Sequence, residues 1–518
     1  MNSSKQIKLG ALMSYFAIAF NMLSGILYTP WMISQIGQSN YGLYTLANSL
    51  ITMFVMDFGM SAAVTRFVSK YRAEGNQKAV DNLLGMAYKL YMLFDAVIFI
   101  ALIIAYFFIE RLYVNLTPIE METFKILYLV AGLFSVISFP FSNLNGILIG
   151  YEQFVGQKFC DLFHKVFIVV AMVIALLSGR GVYALVLVNA FSGLLTLAIK
   201  YIIIKKKTCV KANLKYFDKI MLKEVFEFSV WTTVTSLAQR LIFNITPSII
   251  AAVSTTGSFG IATFGLAQTI EGYVYNFSNG INGMFMPRIS KLVHQGKKDT
   301  DLMDLMIKIG RIQCMIIGLL CVGFITLGKS FIIDIWDKPD FVNSYMCAVL
   351  LILPSFFYVP LEIANTAVVV ENKVNLQSLV YLITGVINVL LSFMLSKYWG
   401  ALGASVSIFI AYTVRTTLMI VIHIKVLHLD IWRFCKESFF KITPFLIITT
   451  VIGLLVENYN PMPHGYLRFI INGIVVVGTF GFLMFVFVMN SYEKSLFFDN
   501  FKKILKKLKD KQKDREAA

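Results

Sequence analysis

Long apolar runs alternate with short polar stretches along the whole chain. A helix needs about 20 mostly apolar residues to cross a hydrocarbon core. Fourteen runs meet that length, near 9–33, 40–63, 84–109, 123–147, 158–178, 182–204, 227–252, 257–286, 304–328, 342–370, 374–396, 400–424, 440–457 and 466–490. None shows the period-two alternation of a barrel strand, so the pattern predicts helices. The expected fold class is an all-α polytopic membrane protein with 14 transmembrane helices.

Composition supports that reading. Of 518 residues, 58% are apolar and only 14% are charged, too few to cover soluble domains of this length. The net charge of +17 then needs a cause. Fourteen spans put both termini on one side, and 35 of the 46 Lys and Arg fall in loops and span ends on that side, against 7 opposite and 4 within spans. The positive-inside rule makes the termini cytoplasmic and the membrane a cytoplasmic (inner or plasma) one. Topology thus accounts for the basic balance, and no nucleic-acid partner is needed to explain it. The first run, after Lys5 and Lys8, is too long for a cleaved signal peptide. Six cysteines without a CxxC pair read as buried hydrophobes or free thiols, so no metal is expected. No cofactor motif occurs. Walker A and HExxH sequences are absent, and the outer loops are short, so an enzyme is not expected.

The chain also resembles itself at an offset of about 220 residues. Phe20-Asn21 aligns with Phe243-Asn244, and Leu46-Ala47-Asn48 with Leu266-Ala267-Gln268. Gly75 aligns with Gly296, Pro140 with Pro360, Asn145 with Asn365 and Gln157 with Gln377. Six spans separate equivalent points, so the halves share one orientation and are expected to be related by a pseudo-two-fold axis along the membrane normal. The predicted organisation is a six-helix bundle over 1–204, a basic linker over 205–226, and a second six-helix bundle over 227–425. Two extra helices follow over 440–490, then a basic tail over 491–518. Two such bundles facing each other suit alternating access. In the tail, Phe497, Phe501, Ile504 and Leu508 share a helical face among many lysines, which reads as an amphipathic helix on anionic headgroups.

Charges inside spans cost about 2.5–3.5 kcal/mol each at helix centre, so each is a candidate for function. Arg240 and Glu271 lie near the middles of neighbouring runs and could pair with each other, structurally or as a cationic anchor with a titratable partner. Asp57, Lys89, Asp95, Asp161, Lys165, Glu362 and Arg415 lie nearer the cytoplasmic ends. Asp161 and Lys165, four apart, could neutralise each other, and Lys89 could snorkel. Lys89, Lys165, Arg240 and Arg415, with Arg66 near the mouth, are the expected cations of a cavity for an anionic substrate, and Arg forks suit phosphate. Glu271 and Asp57 are the candidate coupling or ion-pair acids. Asn21 and Asn244, at equivalent positions of the two halves, could hold sugar hydroxyls or bond neighbouring helices.

Gln35-Ile36-Gly37, Tyr41-Gly42-Leu43-Tyr44, Asp57-Phe58-Gly59-Met60 and Arg66 form a pattern of short outer turn, aromatic-Gly pair and a second span ending in a Gly-small-Arg run. This resembles the polysaccharide flippases, of the O-antigen and teichuronic-acid exporter type, in the multidrug/oligosaccharidyl-lipid/polysaccharide exporter superfamily. The resemblance implies a MATE-like fold in a bacterial membrane. It also implies translocation of an undecaprenyl-pyrophosphate-linked oligosaccharide for cell-surface polysaccharide synthesis. Membrane lipids, that glycan, a proton or sodium ion as coupling ligand, and polysaccharide polymerases or glycosyltransferases are the implied partners. A multidrug/cation antiporter or a lipid II flippase of the same fold is the alternative. Arg66 alone is a motif match to the family; the other site residues rest on their placement in this sequence.

Overall fold

The apolar runs are helices in the computed structural model of the chain, which describes residues 3–282, 288–289, 292–293, 301–336, 338–371 and 373–495. Gly296 and the tail positions Phe497, Phe501, Ile504 and Leu508 lie outside the described residues. Among the described residues, ten helices are long and apolar enough to cross a membrane. One of these, Val374–Lys425, carries two of the expected spans and is interrupted at Gly400, with φ 55° and ψ −130°. Only glycine adopts that backbone readily, which is why the chain can turn there without a loop.

Clustering of the chain in space gives two compact units. The first comprises Met1–Met284, Asn343–Pro354 and Val368–Ile422, and the second Phe285–Val342, Ser355–Ala367 and His423–Ala518.

The first unit opens with α1 (Ser3–Ile36), α2 (Gln38–Phe54), α3 (Met60–Ala73), α4 (Gln77–Leu112) and α5 (Pro118–Ser138). There follow α6 (Leu144–Gly150), α7 (Phe154–Leu177), α8 (Gly181–Lys207), α9 (Lys219–Phe243), α10 (Thr246–Val253) and α11 (Gly257–Asn282). Several predicted spans are therefore broken helices. The run 40–63 divides between α2 and α3 because Phe58 and Gly59 are both left-handed, with φ 50° and 67°. Asp57 then caps α3, accepting from Ser61 N at 3.0 Å. Gly59 also lets α3 approach α9, since a Cβ there would press on the Thr232 hydroxyl and the Ser229 carbonyl. The run 227–252 divides at Asn244 and Ile245, whose amides both donate to the Arg240 carbonyl at 3.0 and 3.1 Å. Pro140 and Pro360, aligned by the repeat, each sit in a 3₁₀ turn, Phe139–Phe141 and Val359–Leu361.

Helices α2 and α11 pack closely, with backbone against backbone. A Cβ on Gly42 would fall within 3.0 Å of the Ser258 carbonyl oxygen, and one on Gly265 would fall 2.9 Å from Thr45 Oγ1. Small residues permit this approach where no hydrophobic effect drives helices together. At the same end, the Glu120 carboxylate accepts from Ser39 Oγ at 2.6 Å, from Ser258 Oγ, and from Thr117 N at 2.9 Å. Thr117 and Glu120 form a capping box that starts α5.

In the second unit the helices Met303–Ser330, Phe439–Tyr459 and Tyr466–Leu483 pack together. Arg311 is buried there against Glu493: Nε donates to Oε1 at 2.6 Å and Nη2 to Oε2 at 2.9 Å. Its remaining donors reach the Glu437 carbonyl at 2.6 Å and the Val488 carbonyl at 2.8 Å. Val488 ends a π turn, Met484–Val488, so its carbonyl needs an outside donor.

Two asparagines aligned by the sequence offset have similar partners. In the first unit Lys200 Nζ donates to Asn145 Oδ1 at 2.8 Å. In the second, His423 Nε2 lies 2.9 Å from Asn365 Oδ1. The asparagines are the aligned pair, and each receives the basic side chain of a later helix at matching distance along the chain.

Candidate functional site

Several intramembrane cations and acids of the first unit line two cavities. The central one, of about 320 Å³, is lined by Arg240, Asn244, Glu271, Tyr275, Tyr412 and Arg415, with Thr52, Ser236, Gln239 and Phe243 completing the wall. The broken helix α9 places two of these residues. Arg240 sits in its last turn, where the partial negative charge of a helix C-terminus favours a cation. Asn388 Nδ2 holds that end in place by donating to the Leu241 and Ile242 carbonyls at 3.0 and 3.2 Å. Arg240 Nη1 is buried and meets no acceptor among the described residues. Asn244 caps the helix and faces the same cavity.

Glu271 and Arg415 are both 7% exposed. Arg415 lies over the rings of Tyr412 and Tyr381, with centroids 4.0 and 5.0 Å away, which stabilises a desolvated guanidinium. Arg240 and Glu271, which could pair from adjacent spans, line the same cavity. The acid in electrostatic reach of Arg240 is Asp57, and the cation in reach of Glu271 is Arg415. Helix neighbours in sequence present these side chains to different partners. Asp57 itself is engaged by Tyr91 Oη at 2.5 Å and by Ser61 N, so the field of Asp57 reaches Arg240 but its oxygens are bonded elsewhere.

Lys165 does not join this group. It lines a second cavity of about 440 Å³ between α1, α7 and α8, with Lys158, Asp161, His164, Thr196 and Lys200. The expected i,i+4 partner of Lys165 is taken: Asp161 bridges Lys200 at 3.4 Å and Lys158 at 3.7 Å. A third cavity, of about 270 Å³, lies between the two and is lined by Asn48, Thr52, Ser135, Ser138, His164 and Asn189 among others. It shares Thr52 with the central cavity and His164 and Gly193 with the lysine cavity.

The remaining candidates lie outside these cavities. Lys89 Nζ donates to the Tyr216 carbonyl at 3.0 Å and so ties the linker after α8 to α4. Arg66 is exposed on α3, with its guanidinium 5.9 Å from the Phe67 ring. Asn21 is half-buried in α1, and its carbonyl accepts from Ser24 Oγ at 3.4 Å. Sequence reasoning missed Tyr412, Tyr381, Gln239, Lys158, Lys200 and the neutral cavity. Tyr412 had a signal, an aromatic ring one turn before an intramembrane arginine. Lys200 had none, because it reads as part of the basic run that ends at Lys207.

These broken helices and the cavity they enclose define an all-helical membrane fold. Solved structures share it. The lipid II flippase MurJ in an inward closed conformation superposes at a TM-score of 0.67 with 14% identity, covering 95% of this chain and 99% of that one. An inward-facing multidrug resistance MATE transporter of the MOP superfamily gives 0.63 with 14% identity, covering 83% and 99%. A eukaryotic MATE transporter, AtDTX14, gives 0.59 with 11% identity, covering 82% and 96%. No curated protein sequence matches significantly. Residues 9–293, more than half the chain, match the family described as polysaccharide biosynthesis protein. The chain belongs to that family and is a multi-pass membrane protein with a MurJ- and MATE-like fold.

Proposed function

We propose that the protein carries an undecaprenyl-pyrophosphate-linked oligosaccharide across the bacterial cytoplasmic membrane by alternating access, with both termini cytoplasmic. The observation that carries this reading is the buried Arg240 guanidinium, whose Nη1 has no acceptor among the described residues, in one cavity with Arg415. Two guanidiniums lining one cavity suit a pyrophosphate, which offers acceptors in a bidentate arrangement. Asn244, Gln239 and Ser236 supply neutral donors for the first sugar. The lipid tail stays in the bilayer. The skew of 35 against 7 basic residues supports the orientation. A membrane potential, proton or sodium gradient supplies the drive, with Glu271 as the acid placed to respond. Glycosyltransferases and a polymerase supply and consume the lipid-linked glycan.

The test is Arg240→Gln, which removes the charge and leaves a shorter polar amide. The variant is expected to insert normally and to accumulate lipid-linked oligosaccharide in the inner leaflet. Surface polysaccharide at the wild-type level would sink the role of Arg240. A second reading, a lipid II flippase, is favoured by the fold likeness to MurJ over 95% of this chain. Lipid II also carries a pyrophosphate, so Arg240 would serve either substrate. Rescue of cells depleted of their own lipid II flippase separates the two. A drug antiporter would instead require Glu271 and would show drug efflux from vesicles.

A further inference from the structure

Three helices of the first unit are joined at the end remote from its lysine-rich segments. Helix α3 ends at Lys70 and Arg72, and α4 starts a few residues later. The 36 residues of α4 rise 1.5 Å each and end at Leu112, about 54 Å away. The next segment, 113–120, meets α2 and the turn between α10 and α11. Asn115 Nδ2 donates to the Ala252 carbonyl at 3.3 Å. Ala252 lies in the last turn of α10, where carbonyls lack a partner within the helix. Gly257, at φ 54°, lets the turn come close, since a Cβ there would stand 3.1 Å from the Asn115 carbonyl oxygen. Glu120 follows in the first turn of α5. Its Oε1 accepts from Ser39 Oγ of α2 at 2.6 Å and from Ser258 Oγ of α11. The two hydroxyl oxygens are 3.1 Å apart, and Ser258 is buried.

The two oxygens of this carboxylate have different tasks. Oε2 accepts from Thr117 N and Oγ1 at 2.9 and 3.0 Å and so starts α5, which needs nothing from α2 or α11. Oε1 adds no support to α5. It draws two hydroxyls from separate helices to one charged acceptor, and such bonds are stronger than those to a neutral one. The segments joined in this way fall in different halves of the expected repeat, 1–204 and 227–425. Beyond Ser39 and Ser258, α2 and α11 run backbone to backbone at Gly42 and Gly265. Further along the same two helices, Thr52 and Glu271 line the central cavity. Glu120 therefore closes the end of the α2–α11 seam that leads to that cavity.

We propose that segment 115–120 is a clasp that holds the outer end of the transporter shut, with Glu120 as the positioning residue that keeps α2 against α11. The proposal rests on the alternating-access reading and its orientation. Opening toward the outside requires the Ser39 and Ser258 hydroxyls to leave Glu120 and Asn115 to leave Ala252. Water at that end offers all of these groups replacement bonds, so the net cost of release is modest. The clasp thus sets the balance between the closed and open outer end, and it touches none of the groups that line the Arg240 cavity.

The test is labelling of a single cysteine, Ser236→Cys in the central cavity, by a sulfonated maleimide that does not cross membranes. It is run on intact cells, which expose only the outer face, in a background lacking the six native cysteines. Labelling needs no substrate, so a protein that alternates but carries another cargo passes here and fails the Arg240→Gln test. Ser39→Ala/Ser258→Ala removes both hydroxyls and leaves the capping box of α5 whole. It is expected to raise outer labelling at least about tenfold, the equivalent of one hydrogen bond to a charged group. Ser258→Ala alone carries the comparison if the double variant does not reach the membrane. Glu120→Gln keeps an acceptor oxygen for both serines and should label more slowly than the serine variant. Ser39→Cys/Ser258→Cys replaces hydroxyls 3.1 Å apart. It should form a disulfide on mild oxidation and abolish labelling at position 236, with recovery on reduction. Unchanged labelling in the serine variants, or labelling that survives the disulfide, would overturn the clasp. So would a larger rise in Glu120→Gln than in the serine variant, because Glu120 would then act only through the start of α5. Changes seen only in inverted vesicles would overturn the outer placement.

Discussion

Gly42→Ala tests how α2 and α11 meet. A methyl group there would fall within 3.0 Å of the Ser258 carbonyl oxygen, 3.0 Å from its carbon and 3.3 Å from Ala262 N. All three are backbone atoms of α11 or its first turn, so no side-chain rotation relieves the clash. The α2 and α11 backbones must separate by several tenths of an ångström or more. Overpacking of this kind costs about 1–3 kcal/mol. Only states with α2 against α11 incur that cost. If the proposed alternating access parts these helices, the same figure shifts the conformational balance about 5- to 150-fold toward the parted state. The assay is labelling of a single cysteine at Thr45, on the α2 face that meets Gly265, by a charged maleimide. It needs a background lacking the six native cysteines. Gly42→Ala is expected to raise the labelling rate at least fivefold and to lower Tm. Unchanged labelling and an unchanged Tm together would refute the close approach. A lower Tm with unchanged labelling would show that the contact is structural and does not part during transport.

Two further outcomes follow from the backbone and the second unit. Glu493→Gln leaves Arg311 buried against a neutral partner and should lower stability by about 2–4 kcal/mol, near the cost of breaking a buried pair, read as a lower Tm in detergent. An Arg311→Met/Glu493→Met double variant should recover most of that loss, and failure to recover would show that the carbonyl bonds to Glu437 and Val488 matter more than the pair. Gly400→Ala forces a side chain into φ 55°, ψ −130° and should cost about 1–3 kcal/mol; a Tm equal to wild type would mean that the turn inside Val374–Lys425 relaxes freely.

Much of the fold is legible in the sequence because lipid leaves few choices. A long apolar run must satisfy its backbone within itself, so run length alone predicts the helices. The breaks inside runs are harder to read. Pro140 and Pro360 announce theirs, but the break at Asp57-Phe58-Gly59 needs two left-handed residues in succession and a capping carboxylate, and only Gly59 hints at it. The candidate site was legible as a set of buried charges and not as a set of partners. Arg240, Asn244, Glu271 and Arg415 do line one cavity, yet Lys165 lines another, Lys89 holds a linker and Arg66 lies exposed.

The sequence by itself determined the solvent, the class of helix and which charges would be costly. These follow from each residue's own transfer energy, which depends on type and depth. The tertiary structure decided which charges meet. Asp57 is the acid in electrostatic reach of Arg240, and Arg415 the cation in reach of Glu271, because helix placement, set by contacts such as Gly42 on Ser258 and Asn388 on the end of α9, chooses the neighbour. Charge pairing depends on distances of a few ångströms between helices far apart in the chain, and no local pattern encodes them.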